Sequence, residues 1–218
     1  MSAQVVTYSG IYEGVPLSDK YKVYVCGGKD NQNAVVFKNT CNEYVPGAEG
    51  NRKNDDKPLT KFAGRTIHWT HFSMKGETTV TVEVAENLMN KEIKVLPSRF
   101  GVQVKKEGEN RIIFTLKHPG QYSVEIGDDG YKNGLLIFAD PLEKEKVKTD
   151  SRWQVLENSD KDDIKRVSNE KKALYFKSGV HDIGVYKVPE NIKEIYLEGG
   201  AWVYGAFVME GENKSEVK

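Results

Sequence analysis

Over the first 141 residues the chain alternates apolar and polar positions at period two, the pattern of strands with one face buried. YKVYVCG (21–27) and NAVVFKN (33–39) flank a polar turn and predict a hairpin. TIHWTHFSM (66–74), TTVTVEVAE (78–86), IKVLP (93–97), VQVKK (102–106), RIIFTLKH (111–118) and YSVEIG (122–127) continue the alternation. LLIFAD (135–140) is apolar throughout, as a strand buried on both faces requires. The turn signals KGE, LPSRFG, KEGEN, HPGQ and GDDGYKNG separate these runs. Many short strands punctuated this way predict an all-β fold that opens with an antiparallel, immunoglobulin-like β-sandwich over residues 1–141. The stretch 44–64 is polar and glycine-bearing and reads as a long loop between strands. No segment carries a sustained helical period.

Residues 142–172 change character. EKEKVKTDSRW and ENSDKDDIKRVSNEKK are dense in both charges, with Trp153 and Val155 as the main apolar anchors. A mixed charge run reads as a solvated connector between domains. Beyond it, LYFKSGVHDIG (174–184) can be laid over IYLEGGAWVYG (195–205) without a gap, at an offset of 21 residues. Leu174 falls on Ile195, Tyr175 on Tyr196, Phe176 on Leu197, Gly179 on Gly200 and Gly184 on Gly205. Self-similarity at a fixed period of roughly 20–50 residues marks stacked repeats. Short strands joined at glycine corners predict that residues 173–218 form the first two rungs of a parallel β-helix. A pair of strand-turn-strand units in a second sandwich is the alternative. Stacked repeats need about three units and capped ends, so the sequence reads as the front part of a longer protein, with the sandwich as the lid on the helix end.

Composition narrows the function. Thirty-two basic residues balance 32 acidic ones, so the chain lacks the positive field that a phosphate backbone attracts, and nucleic acid is not an expected partner. No apolar run approaches the ~18 residues that cross a bilayer, and no signal peptide is visible. Cys26 and Cys41 fit no zinc spacing, and a hairpin would place Cys26 nearer Val36 than Cys41, which disfavours a disulfide between them. His68 and His71 sit three apart in an apparent strand and so face opposite sides. His118 precedes Pro119 at a turn, and GDDG (127–130) reads as an Asp-Gly turn rather than a calcium loop. No metal site and no cofactor are expected, and no nucleophile or phosphate-binding motif is found. Asp182 is a carboxylate beside a rung strand and reads as a solvated turn residue. Three aromatics are weighed as carbohydrate-binding platforms. Trp69 reads as sandwich core with a sugar platform as the alternative, and Trp202 with Tyr204 reads as a pair on one face of a rung, pointing outward or packed against the sandwich.

With these stretches in place the chain resembles the dextranase-like enzymes of glycoside hydrolase family 49. The likeness runs in order through KYKVYV, IHWTHFS, LLIFADPLE, ALYFKSGVHDIG and NIKEIYLEGGAWVYGAF. The first rungs also resemble those of polygalacturonase-like enzymes, and LLIFADPLE closing a sandwich favours family 49. Lys177-Ser178 and the charged connector depart from the family's pattern. The resemblance implies a β-sandwich followed by a right-handed parallel β-helix, and inverting hydrolysis of an α-glucan by the full-length enzyme. It implies a secreted or periplasmic parent protein. The family's catalytic carboxylates lie on central rungs, so none is expected before Lys218 and this chain by itself is expected to be inactive. A carbohydrate-binding sandwich module is one competing reading. A structural module that self-associates through the open end of the helix is another.

Overall fold

A computed structural model describes residues 3–8, 10–40, 66–128, 133–144 and 147–209. The loop expected at 44–64, Cys41, the Asp129–Gly130 half of the GDDG turn and the residues after Met209 lie outside it. The chain divides into two compact units, Met1–Ser9 with Gly14–Glu143, and Gly10–Glu13 with Lys144–Lys218.

The first unit carries β1 (Gln4–Thr7), β2 (Tyr21–Cys26), β3 (Asn31–Ala34), β4 (Val36–Thr40), β5 (Thr66–Lys75), β6 (Thr78–Val84), β7 (Ile93–Leu96), β8 (Lys105–Glu107), β9 (Arg111–Leu116), β10 (Gly120–Ile126) and β11 (Leu135–Pro141). One sheet runs β3-β2-β6-β9-β8, antiparallel throughout. The other runs β1-β5-β11-β10-β7, with β4 also on β5. Its β5–β11 pair is parallel, His68 opposite Leu135 and Phe72 opposite Ala139, so the sandwich is not purely antiparallel. The inner faces meet in one core that joins Val23, Val80, Val82, Ile112 and Phe114 of the first sheet to Phe72, Met74, Val124, Leu135 and Ile137 of the second.

Two strand assignments change. NAVVFKN is not one strand, because Val35 separates β3, which pairs with β2, from β4, which pairs with β5. The chain switches sheets there, and both sides stay apolar because Ala34, Val35 and Val36 are all buried. VQVKK begins to pair only at Lys105, since Val102 and Val104 turn in to pack on the core before the ladder starts.

The second unit is a parallel coil. Strands β12 (Trp153–Leu156), β13 (Ala173–Phe176) and β15 (Glu194–Leu197) stack as one parallel sheet, and β14 (Gly179–Val188) and β16 (Ala201–Met209) as another. Gln154, Leu174 and Ile195 align in one row, and Leu156, Phe176 and Leu197 in the next. These rows form the interior, because a parallel strand can rest its inward side chains only on those directly above and below. Among the described residues three rungs are therefore present where the repeat showed two. The first, WQVL, lies inside the stretch read as a connector, where a polar Gln154 at an inward position masks the pattern.

The ungapped offset of 21 holds at Leu174–Ile195 and again at Gly184–Gly205, but between them Gly179 pairs with Ala201 and Asp182 with Tyr204. The upper corner, Glu198-Gly199-Gly200, is one residue longer than Lys177-Ser178, and a bulge at Ile183 restores the register. Gly200 has φ +91°, and a Cβ there would lie 2.6 Å from Ser178 Oγ. At Gly205 a Cβ would lie 2.1 Å from the Gly184 carbonyl oxygen. The glycines thus mark places where neighbouring rungs come too close for a side chain.

One helical turn, α1 (Lys161–Lys165), occupies the first-rung position beside β14. Ser159 bridges to His181, and Lys161 lies against Gly184 and pairs with Asp182 at 3.4 Å. Asp160 caps the turn, accepting from the N–H groups of Asp162 and Asp163 at 2.8 and 2.9 Å, while Asp163 accepts from Asp160 N–H at 3.1 Å. Ile164 is then buried among Leu156, Leu174, Phe176 and Ile183. Within its own unit the coil thus has a plug at this end. Ile164→Ala is expected to cost about 3 kcal/mol, the usual loss for an aliphatic core truncation, and Asp160→Ala clearly less, through the lost cap. Urea unfolding followed by near-ultraviolet circular dichroism checks both, and equal small effects would contradict this role for Ile164.

Candidate functional site

Ala201, Val203 and Phe207 of β16 pack on the coil core, so Trp202 and Tyr204 project from the opposite, outer face. Their ring centroids lie 6.0 Å apart at 55°. Tyr204 is exposed and Trp202 half-buried. In the parallel register Trp202 stands over Val180 and Tyr204 over Asp182. A second aromatic row lies on the outer face of the other coil sheet, where Tyr175 and Tyr196 are register neighbours with centroids 4.9 Å apart and Trp153 is 6.2 Å from Tyr175.

Trp69 is not in the sandwich core. The inward positions of β5 are His68, Thr70, Phe72 and Met74, which puts Trp69 and His71 on the outer face. There Trp69 packs 4.7 Å from Phe37 and 6.3 Å from Phe138, and its Nε1–H donates to Asn39 Oδ1 at 2.8 Å. Both faces of this strand carry aromatic or apolar residues, so alternation alone does not reveal which is inward. Trp69 belongs to the first unit, and Trp202 and Tyr204 to the second.

Four acidic groups of the coil are committed to corners, a cap or a lysine. Asp182 Oδ1 accepts from Gly184 N–H at 3.1 Å, and Glu198 Oε2 accepts from Ser178 N–H at 2.9 Å. Glu157 accepts from Lys177 Nζ, and that hydrogen bond holds its carboxyl below the usual range. Asp160 is held low by the backbone N–H groups it caps. A general acid in a glycosidase needs the opposite shift. Among the described residues, no three His, Cys, Asp or Glu side chains are grouped to hold a metal, and no helix is long and apolar enough to cross a membrane.

Three polar arrangements escaped sequence reasoning. His181 is fully buried, and its Nε2 lies 2.8 Å from the Lys177 carbonyl oxygen, which fixes the proton on Nε2. Nδ1 then accepts from Ser159 Oγ–H at 2.8 Å. Its ring stands edge-on to Phe176 at 5.1 Å. Tyr12, grouped with the coil, donates to the Gly200 carbonyl at 2.5 Å and lies 2.9 Å from Ser178 Oγ, so it clasps the two adjacent corners. In the sandwich, Ser18 Oγ accepts from the N–H of Lys20 and of Tyr21, leaving its own proton for buried His68 Nδ1 at 2.9 Å. No local motif announces partners that lie 22, 188 and 50 residues apart.

Burial pushes the pKa of His68 down, and burial does the same for His71 against the pull of Asp140. An unfolded histidine titrates at about 6.5. Above that value both states carry neutral rings and stability is complete. As the pH falls below it the unfolded chain takes up protons that the folded chain does not, so stability declines until the lower folded pKa is passed. The urea midpoint is expected to fall between pH 7.5 and 5.5, and to fall less in His68→Gln/His71→Gln. An identical decline in the double variant would show that other groups set it.

No family model matches the chain, and no curated protein does. Among solved structures the fold is similar to that of Dex49A from Penicillium minioluteum, with a TM-score of 0.64 and 16% identity over 94% of this chain. The matched region is 48% of that protein, so the chain spans about half its length. At this identity the likeness is one of fold: the protein has an all-β fold similar to that of a dextranase of glycoside hydrolase family 49.

Proposed function

We propose that this chain is the non-catalytic front part of a polysaccharide-degrading β-helix enzyme of the dextranase type, acting with inversion on an α-glucan outside the cytoplasm. The observation that carries this reading is the likeness to Dex49A over nearly the whole chain and about half of that protein. The coil supports it. An inverting glycosidase holds its two carboxyl groups ~6.5–9.5 Å apart, one protonated and one activating water. Asp182, Glu198 and Glu157 instead hold backbone corners and a lysine.

A second reading is favoured by one observation, the outward Trp202–Tyr204 pair. Sugar rings stack on exposed aromatic faces, and the pair would give the coil a glucan-contacting ridge, with Trp69 as a separate contact on the sandwich. Self-association through the upper rung is the third reading, since an unpaired strand edge accepts another strand.

Reducing-sugar release from dextran by the 218-residue chain is expected to stay at the level of buffer. Release that rises with protein concentration would overturn the non-catalytic reading. Isothermal titration with dextran separates the first two readings. Heat that disappears in Tyr204→Ala supports the binding ridge, and no heat at all leaves the scaffold reading alone.

A further inference from the structure

A cleft of about 340 Å³ opens at the edge of the sandwich, beside β9. It lies within the range of small-molecule sites, roughly 300–1,000 Å³. β8 leaves the ladder after only three pairs, ending at Lys105 opposite Ile113. On that edge of β9, no described strand pairs with Phe114, Thr115 or Leu116, so backbone donors and acceptors face the opening. The opposite wall is the LPSRFG turn. Its 3-10 segment, Ser98–Phe100, ends at Gly101 with φ +58°, and this turn sets Phe100 5.3 Å from the ring of Tyr122. The Arg99 guanidinium lies 5.1 Å from the centroid of the Phe100 ring.

The side chains that line the cleft sort by chemistry. Phe100, Val102 and Ile113 supply an apolar wall, and Gln103 and Thr115 supply an amide and a hydroxyl. Lys105, Lys117 and His118 supply the ionisable groups, and none of the lining residues is acidic. Lys105 pairs across the ladder with Ile113, and Thr115 and Lys117 follow at alternate positions, so all four share the outer face. Some basic side chains elsewhere in the sandwich are ion-paired: Arg111 to Glu83 and Glu107, Lys38 to Asp19, Lys20 and Lys91 to Glu86. Lys105 and Lys117 make no ion pair among the described residues. In a chain with equal numbers of basic and acidic residues, a recess lined by bases alone is a local excess of positive charge beside hydroxyl-matching groups and a ring.

We propose that this cleft binds an anionic sugar unit, with Lys105 and Lys117 on its carboxylate or sulfate, Gln103 and Thr115 on its hydroxyls, and Phe100 against its apolar face. This goes beyond the α-glucan reading, which concerns a neutral polymer and the coil.

The test uses the full chain labelled with ¹⁵N and titrated with trigalacturonate, glucose 6-sulfate, isomaltotriose and sodium sulfate. The expected result is saturable shifts at Gly101–Gln103 and Ile113–Lys117 with one or both anionic sugars, none there with isomaltotriose, and affinity at least about tenfold lower in Lys105→Gln/Lys117→Gln, which removes two charge-assisted hydrogen bonds. Binding of trigalacturonate alone assigns the charge to a carboxylate, and binding of glucose 6-sulfate alone assigns it to a sulfate. Both lysines are exposed, and Gln103→Ala provides a charge-neutral variant that should also weaken the sugars. Absence of shifts in the cleft overturns the proposal. So does sulfate binding as tightly as the sugars, or isomaltotriose producing the same shifts.

Discussion

Parallel stacking imposes one constraint on the coil: every inward side chain must land on the residue one rung away. Within a strand this is satisfied by identity of register, as in the rows through Leu174 and Phe176. Between strands it is not automatic, because corners differ in length. Glu198-Gly199-Gly200 adds a residue that Lys177-Ser178 lacks, and the bulge at Ile183 takes it back before Gly184 meets Gly205. Ile183 is buried, so the extra residue is spent on the core rather than left at the surface. The same constraint explains the buried polar pair. His181 stands where its ring can reach both the Lys177 carbonyl and Ser159, and each bond ties β14 to a neighbouring corner. A buried histidine without those two partners would carry an unsatisfied nitrogen, at a cost of about 1–3 kcal/mol.

The ends of such a stack are its weak points, since the first and last rungs have a neighbour on one side only. At the first rung the chain replaces a strand with α1. A five-residue helix is too short to be stable by itself. It is held by its Asp160–Asp163 capping box and by Ile164, which enters the core between the two coil sheets. The aspartates that made this stretch look like a solvated connector are therefore the groups that shape the plug. Its outer face carries the charge and its inner face a single aliphatic side chain.

How much of this the sequence disclosed depends on the number of residues that carry each feature. Strands with several alternating apolar positions, such as Tyr21–Cys26 and Thr78–Val84, were legible. So was the pairing of Leu174–Phe176 with Ile195–Leu197, because three consecutive residues match. The rung at Trp153–Leu156 was hidden by Gln154, and the sheet switch at Val35 by an unbroken apolar run. Trp69 was misplaced because β5 has no clearly polar face. Asp182 was read as a solvated turn residue, but it lies within β14, where it accepts from Gly184 N–H beside the bulge and pairs with Lys161. The cleft at β9 was invisible as a site. It depends on where β8 stops pairing, and LPSRFG announced only a turn.

The three-rung register is the central claim, and cross-strand nuclear Overhauser contacts measure it directly in solution. Ser159 is expected to show backbone contacts to His181, and His181 to Val203, while Gly184 shows them to Gly205. Contacts from His181 to Trp202 instead of Val203, or an antiparallel pattern between these strands, would contradict the account.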